Sequence, residues 1–465
     1  MSCPTPDGAP TRGPGDPYVP THGDPRYSVS HYDLDLDYRM ANNQLKGRAT
    51  LDVTTTQACR DLRLDLSGLR PTKVLVDGRR PAGFRVRADK LVVTLAEPVA
   101  AGATLAVEVT YGGSPRPVRG ICGDVGWEEL REGVLVAGQP EGAPSWFPCN
   151  DHPGDKASYR ISVTTDSPYR VVANGTLVEH RVGASRTTWV WRQPEPMATY
   201  LATVQIGRYE LVELSPSPVA LHLAVPARLR RRALGDFGRQ ADMVRLFQRL
   251  FGPWPFTAGY TAVVTDDDLE IPLESQGLAT FGANHCDGRR GAERLVAHEL
   301  SYQWFGNSVG LRRWQDVWLN EGFACYSEWL WSEWLSSQGS GGRSADASAR
   351  RWWGRLAALP QDLVLADPGP ALMFDDRVYK RGALTLHALR LTLGDTDFFD
   401  LLRAWVARHR HGTATTEDFV AHVAEHAGDH AGTHSVERAA AVTGLLEQWL
   451  WHPALPPLPP PPAPR

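Results

Sequence analysis

A histidine and a glutamate stand side by side at His298 and Glu299, and Tyr302 follows four positions after the histidine. In a His-Glu-x-x-His motif, two imidazoles at positions i and i+4 lie on one face of a helix and bind one zinc ion, while the glutamate activates the zinc-bound water. This chain has the first histidine and the glutamate, and Tyr302 takes the place of the second histidine. The pattern predicts metal-assisted hydrolysis with one ligand position of unusual type.

The residues around this motif extend the pattern. The chain reads His-Glu-Leu-Ser-Tyr-Gln-Trp-Phe-Gly-Asn over 298–307 and Trp-Leu-Asn-Glu-Gly-Phe-Ala over 318–324, and eighteen residues lie between Tyr302 and Glu321. These stretches resemble the aminopeptidase N family of zinc metallopeptidases, which includes leukotriene hydrolase and carries its third metal ligand, a glutamate, at this spacing. The resemblance implies Zn²⁺ as the cofactor, with His298 and Glu321 as two of its ligands.

The same resemblance assigns two catalytic residues. Glu299 would take a proton from the attacking water and deliver it to the leaving amine, as a general acid–base residue does. The segment Val378–Gly382 is similar to the family's segment that carries a catalytic tyrosine. Tyr379 would therefore donate a hydrogen bond to the oxyanion of the tetrahedral intermediate.

Two further segments resemble the part of the family that binds substrate. Gln139-Pro-Glu141 is similar to a segment whose Gln and Glu line the cleft, and Leu273–Gly277 is similar to an edge strand that pairs with substrate. The resemblance implies that Glu274, together with Gln139 and Glu141, binds a peptide with a free N-terminus through its α-ammonium group. A carboxylate that binds this ammonium would limit cleavage to one residue.

Tyr302 leaves three interpretations open. A phenol has a pKa of about 10 and must lose its proton to bind a metal, whereas imidazole is neutral near pH 7. Tyr302 could bind zinc as a phenolate or lie beside a weakened metal site. The metal could instead be lost, which would leave a pseudo-peptidase that binds peptides or a protein partner. In the third interpretation, Tyr302 is an inactivating replacement, natural or engineered, in an otherwise ordinary enzyme.

Two other side chains are candidates for the missing ligand. Cys325 follows Glu321 by four positions, so both could face one side of a helix, and a thiolate binds zinc well. His285 follows the segment that carries Glu274. Packing of Cys325 in the core and a loop position for His285 are the competing structural interpretations.

Hydrophobic patterning predicts the elements that must position these residues. Alternating segments such as 31–38, 73–77, 90–95 and 160–165, separated by Gly- and Asn-containing turns, predict an antiparallel β-rich region up to about Tyr209. Helical periodicity then dominates, and the predicted helices cover 228–250, 292–305, 321–335, 382–393 and 415–426. The stretch 336–348 is rich in Gly and Ser and is predicted to be a flexible loop.

These patterns predict an α+β protein. We expect a disordered N-terminal segment at 1–25, a β-rich N-terminal domain at 26–212, a mainly helical domain at 213–454 and a Pro-rich, solvated tail at 455–465. The resemblance implies that the helical domain has a thermolysin-like fold and that the chain is a short form without the family's large C-terminal helical domain.

Composition indicates which classes of partner the protein can have and in which cellular compartment it lies. The chain has 465 residues, and 49 Lys and Arg against 53 Asp and Glu give a net charge of −4, which argues against a nucleic-acid partner. None of the six cysteines forms a Cys-x-x-Cys pair, so reduced thiols are expected. The first 25 residues lack an apolar segment typical of a signal peptide, and no run of about 18 apolar residues predicts a membrane helix. We therefore expect a cytoplasmic protein with no membrane association. A monomer is the expected state, although no feature of the sequence determines it.

The sequence favours a zinc metallo-aminopeptidase that hydrolyses N-terminal residues from peptides, with Tyr302 as the residue on which activity depends. The alternative is a catalytically impaired pseudo-peptidase that binds peptides or a protein partner.

Overall fold

A computed structural model describes residues 15–121, 123–214, 216–429 and 435–460 of the chain. Contacts between residues divide the described chain into two compact units. One comprises 15–238 with Phe256–Gly291, and the other comprises Arg239–Pro255 with 292–460. The first holds most of the strands and the second most of the helices, as an α+β protein requires.

The strands are β1 Tyr27–Arg39, β2 Gln44–Thr55, β3 Cys59–Asp65, β4 Arg70–Val76, β5 Gly83–Arg87, β6 Lys90–Val99, β7 Thr104–Gly113, β8 Val118–Gly120, β9 Gly123–Leu130, β10 Gly133–Ala137, β11 Lys156–Asp166, β12 Arg170–Ala173, β13 Thr176–Val182, β14 Arg186–Ala198, β15 Val204–Gly207, β16 Tyr209–Glu213, β17 Leu221–Pro226, β18 Tyr260–Val264, β19 Leu273–Ser275, β20 Leu278–Phe281, β21 Gly310–Leu311 and β22 Thr413–Ala414. The α-helices are α1 Arg230–Phe237, α2 Gln240–Phe251, α3 Glu293–Ser301, α4 Trp318–Ser337, α5 Ala345–Leu356, α6 Asp376–Leu393, α7 Asp395–His409, α8 Thr416–Asp429 and α9 Ser435–Trp451.

The β-rich unit contains a seven-stranded sheet in the order β13-β14-β11-β1-β2-β7-β4. A five-stranded sheet β12-β15-β10-β9-β8 and a three-stranded sheet β3-β6-β5 belong to the same unit. Most pairs are antiparallel, as the alternating pattern predicted, but β1 and β11 run parallel. Alternate residues of β1 are buried, which is the half-buried pattern that defined it in the sequence.

A second five-stranded sheet, in the order β16-β17-β18-β20-β19, is formed by strands between residues 209 and 281, and these strands also belong to the β-rich unit. The boundary that we predicted at 212/213 falls inside β16, which pairs with β17 along its whole length. The compact units therefore differ from the predicted domains, because hydrogen bonding across this sheet continues past the point where helical composition begins.

Both ends of the described chain depart from the predicted disorder. Tyr18 and Val19 are buried, and the Gly23 amide donates to Asp65 Oδ2 at 2.9 Å. At the other end, the Trp353 indole donates to the Pro456 carbonyl at 2.7 Å. Packing contacts thus order residues 15–25 and 455–460, whereas 1–14 and 461–465 lie outside the described residues.

The helical unit forms its core around α4, which is buried on all sides from Trp318 to Trp331. Gly322 of α4 and Gly382 of α6 face each other so closely that a Cβ built on Gly382 would lie 2.6 Å from the Gly322 Cα. Glycine at both positions lets the two helix backbones meet. This contact fixes α6 against α4. Among the described residues, no helix has the length and apolar character needed to cross a membrane.

Asp155, which precedes β11, gives the β-rich unit a testable pH dependence. Burial raises the pKa of this carboxyl to about 7, although hydrogen bonds from the Asn150 amide and the Val29 N–H oppose the rise. Because the folded state holds this proton more tightly than the unfolded state, the contribution of Asp155 to the free energy of unfolding is complete below about pH 4 and is lost as the pH rises through 7.

We expect the free energy of unfolding of the wild-type protein to fall by about 2 kcal/mol more than that of Asp155→Asn between pH 5 and pH 8. Urea unfolding at both pH values measures this difference. Equal changes in the two proteins would show that Asp155 titrates normally in the folded state.

Candidate functional site

The predicted metal motif lies at the end of helix α3. His298 and Glu299 are in its last turn, and Tyr302 is the first residue after it. His298 is 7% exposed and Glu299 is 4% exposed, so both polar side chains are withdrawn from bulk solvent. Buried polar groups need partners, and helix α4 supplies two carboxylates, Glu321 and Glu328.

The Tyr302 hydroxyl lies between the two predicted metal ligands. It is 3.0 Å from His298 Nε2, and it donates a short hydrogen bond to Glu321 Oε2. The His298 Nε2 and Glu321 Oε2 atoms are themselves 3.8 Å apart. The Tyr302 hydroxyl therefore links the His298 imidazole and the Glu321 carboxylate. The nitrogen and oxygen of these two groups are close enough for one atom to bind both.

A second carboxylate holds the other side of the imidazole. Glu328 Oε1 accepts from His298 Nδ1 at 2.8 Å and from the Arg294 guanidinium at 2.8 Å. A carboxylate in this position orients a metal-binding histidine in many metalloproteins. The motif did not identify Glu328 or Arg294. Glu328 lies two helical turns after Glu321, and Arg294 lies one turn before His298, so helical spacing would have indicated both.

The pKa values of His298 and Glu328 in this cluster are strongly shifted from their ordinary values. Burial alone would lower the pKa of His298, but its interaction with the Glu321 carboxylate 3.8 Å away, its hydrogen bond with Glu328 and the charges of Glu328 and Glu299 outweigh burial and raise this pKa to about 10. Burial alone would raise the pKa of Glu328, but His298, Lys380 and Arg294 outweigh it and lower the pKa to about 2. The carboxylates around His298 therefore favour a positive charge on this imidazole.

Tyr379 comes to the same place from helix α6. Its ring stacks on the His298 ring, with centroids 6.2 Å apart and planes 17° from parallel. The described structure therefore brings His298, Tyr302, Glu321 and Tyr379 together in one unit. Glu299 is adjacent on α3, and its charge acts on His298.

The two proposed substitutes for the missing ligand have other partners. Cys325 Sγ accepts a hydrogen bond from Lys380 Nζ at 3.4 Å, and burial raises the pKa of the thiol to about 12. His285 Nδ1 accepts from the Gly282 N–H at 3.0 Å and belongs to the β-rich unit. The structural interpretation of both residues thus agrees with their contacts.

The predicted substrate-binding residues belong to the β-rich unit. Glu274 lies on β19, which is the edge strand of its sheet, as the sequence indicated. Glu141 Oε1 accepts from the Ile121 N–H at 2.7 Å, and Glu141 Oε2 is 3.6 Å from His22 Nε2. The Gln139 Nε2 is buried with no hydrogen-bond partner among the described residues, so this amide retains unused donor capacity. His22 was not a predicted site residue.

The donor set fits zinc at two positions and fails at the third. His298 and Glu321 supply the nitrogen and oxygen atoms that Zn²⁺ prefers. The third position holds Tyr302, whose proton is engaged by Glu321. Among the described residues, no group of three or more His, Cys, Asp and Glu side chains is arranged to hold a metal ion. The residues present therefore do not form a complete three-ligand zinc site.

Comparison with known proteins gives consistent matches along the chain. A model of the peptidase family M1 domain matches residues 278–449, and a model of the peptidase M1 N-terminal domain matches 28–201. A probable aminopeptidase 2 of Sulfurisphaera tokodaii is 24% identical over 84% of this chain and 51% of its own length. A leucyl aminopeptidase of Saccharolobus solfataricus is 24% identical over 80% of this chain and 48% of its own length. The chain thus spans about half the length of these curated relatives.

Solved structures match over their full length. An M1 zinc metallopeptidase from Deinococcus radiodurans is 31% identical to this chain and has a TM-score of 0.84. The match covers 97% of this chain and 100% of the metallopeptidase chain. A mutant of that metallopeptidase, bound to a Tyr-Ser-Ala substrate, gives a TM-score of 0.85 at 30% identity, with the same coverage.

Proposed function

Since this chain belongs to peptidase family M1, we propose that it is an aminopeptidase whose zinc-dependent hydrolysis of peptides is impaired by Tyr302. Zn²⁺ is the cofactor that this family implies. The observation that carries the proposed impairment is the position of the Tyr302 hydroxyl, which bonds both His298 and Glu321. A protonated phenol in that position competes with a metal ion for the same two side chains.

We assign roles to the remaining residues as part of the same proposal. Glu299 accepts a proton from the attacking water and passes it to the leaving amine. Tyr379 donates to the carbonyl oxygen as negative charge develops on it. The stacking of Tyr379 on His298 supports its position beside the reaction.

The substrate in this proposal is a peptide with a free N-terminus. Glu274, Gln139 and Glu141 bind its ammonium group, which restricts the reaction to the first residue. The substrate-bound metallopeptidase of Deinococcus radiodurans, a relative with a Tyr-Ser-Ala tripeptide, supports a tripeptide as the probe. We also propose a cytoplasmic monomer without a nucleic-acid partner, in line with the net charge of −4.

A second candidate function is peptide binding without hydrolysis. The same hydrogen bonds favour it, because Tyr302 satisfies His298 and Glu321 by contacts within the chain. In this candidate, the ammonium-binding carboxylates would still select free N-termini. The two candidates differ in turnover and agree on recognition.

Calorimetry with Tyr-Ser-Ala and its N-acetylated form tests recognition. We expect the free peptide to bind at least about tenfold more tightly than the acetylated one, because acetylation removes the charge that the carboxylates bind. Glu274→Gln is the test variant, and Glu270→Gln is its matched control in the preceding loop. Equal affinity for the two peptides would overturn the proposal, and chromatographic measurement of released tyrosine separates slow hydrolysis from none.

Substitution of Glu299 is expected to affect turnover but not zinc binding in a protein that carries histidine at position 302. In a Tyr302→His background, we expect Glu299→Gln to lower the turnover number by about a hundredfold or more while zinc content stays unchanged, because the carboxylate moves protons and does not bind the metal. Steady-state kinetics and metal analysis of the two proteins measure this. Loss of zinc in Glu299→Gln would assign the residue to the metal site.

A further inference from the structure

His22 lies in the N-terminal segment 15–25 and makes ion-pair contacts with two acidic side chains. Its Nδ1 is 2.8 Å from Asp151 Oδ2, and its Nε2 is 3.6 Å from Glu141 Oε2. The imidazole side chain is 17% exposed, and the Glu141 side chain is 9% exposed. The segment is thus connected through its histidine to a residue that we assign to substrate binding.

The histidine ring is held firmly from one side. Asp151 Oδ1 accepts from the Thr199 hydroxyl at 2.7 Å, while its Oδ2 bonds His22. The Asp151 N–H donates to Asp65 Oδ2 at 3.1 Å, and this same oxygen accepts from the amide of Gly23, next to His22. Backbone and side chain therefore anchor the residue together, and Nε2 is directed at Glu141.

Glu141 is held by one hydrogen bond and one ion pair. Its Oε1 accepts from the Ile121 N–H at 2.7 Å, and its Oε2 faces the His22 ring. Burial of a carboxylate favours its neutral form unless a cation is near. His22 is the cationic side chain that the described contacts place beside this carboxylate.

We propose that His22 is a positioning residue that keeps Glu141 ionised and directed toward the ammonium group of a peptide N-terminus. The proposal rests on the proposed function, because that function assigns Glu141 to substrate binding. It adds a residue that does not itself contact substrate but sets the charge and direction of one that does.

The electrostatic surroundings agree with the geometry. Burial lowers the pKa of His22, but the hydrogen bond to Asp151 and the charges of Asp65, Asp151 and Glu141 outweigh it and raise this pKa to about 9. Burial raises the pKa of Glu141, and the His22 charge opposes that rise. Lys90, which pairs with Asp65, is a further cation linked to this cluster. Removing the His22 charge should therefore raise the pKa of Glu141 further.

A first experiment needs no peptide. NMR of protein with labelled histidine follows the titration of the His22 ring, and loss of its signal in His22→Gln assigns it. We expect Glu141→Gln to lower the pKa of His22, because it removes a negative charge 3.6 Å away. An unchanged pKa would overturn the inference while leaving the proposed function intact.

A second experiment measures the affinity for Tyr-Ser-Ala of wild type and His22→Gln at pH 6 and pH 8. We expect the variant to bind about tenfold more weakly than the wild type at pH 6 and to lose less affinity at pH 8, because without the His22 charge Glu141 holds its proton more tightly and a higher pH opposes this. His22→Lys should restore affinity at pH 6, and the exposed His180→Gln should leave it unchanged. In a Glu141→Gln background, His22→Gln should have no further effect.

These outcomes separate the two proposals. A uniform loss of affinity at both pH values would indicate that His22 only maintains structure, and it would overturn the inference. Equal binding of free and acetylated peptide by the wild type would overturn the proposed function, and with it the role of Glu141, even if the NMR titration shows that His22 and Glu141 are coupled.

Discussion

Replacing Tyr302 with histidine is expected to raise the turnover of N-terminally free peptides by about a hundredfold or more. Imidazole offers a neutral nitrogen near pH 7, whereas the phenol holds its proton against Glu321. Mutation of a residue that only orients a metal ligand changes metal affinity or activity by about 10–100-fold. Supplying the missing ligand itself should therefore have a larger effect. Release of the first residue of Tyr-Ser-Ala, measured with and without added zinc, tests this.

Tyr302→Phe is the matched control for that experiment. It removes the hydroxyl that bonds His298 and Glu321 but supplies no ligand, so we expect no comparable gain in turnover. If Tyr302→His binds zinc and stays inactive, other residues of the site have diverged as well, and the pseudo-peptidase candidate is favoured. If the wild type already matches Tyr302→His in turnover, the account of Tyr302 is wrong.

Arg381 on helix α6 is expected to give the largest loss of stability. Its guanidinium is buried and donates to the carbonyls of Leu363, Trp449 and Pro453 at 3.0, 3.0 and 2.6 Å. It also bonds the His452 carbonyl just beyond α9. One side chain thus binds carbonyl groups at the end of α9 and in the segment that follows it, where a helix leaves acceptors unsatisfied.

We expect Arg381→Ala to lower the free energy of unfolding by about 3 kcal/mol, because it leaves several buried carbonyls without donors. Arg381→Lys should recover only part of this loss, since an ammonium lacks the planar set of donors. Arg351→Ala, at an exposed position on α5, is the control and should change stability by less than about 0.5 kcal/mol. Denaturant unfolding of the three variants measures these effects, and equal losses for Arg381→Ala and Arg351→Ala would contradict the assignment.

Much of the fold could be predicted because local pattern and burial agree. The alternation in β1 and the periodicity of α3, α4, α6 and α8 indicated elements that the structure contains. The ends of the chain could not be predicted in this way. Pro- and Gly-rich composition indicated disorder at 15–25 and 455–460, but tertiary hydrogen bonds to Asp65 and from Trp353 order these segments.

The candidate site was predictable to the extent that its residues share a motif. His298, Tyr302, Glu321 and Tyr379 were identified from sequence and lie together in the described structure. Contacts that depend on packing between distant segments were not predictable. The pairing of His22 with Glu141 joins residues more than a hundred positions apart, and no local pattern indicates it.

The most direct test of the central claim is the zinc content of the purified wild-type protein after exposure to excess zinc and removal of weakly bound metal. Mass spectrometric metal analysis should find well below one equivalent in the wild type and about one equivalent in Tyr302→His, because only the variant has three ligands of the usual type. One tightly bound zinc ion per wild-type chain would contradict the account. It would show that Tyr302 gives up its proton and binds the metal as a phenolate.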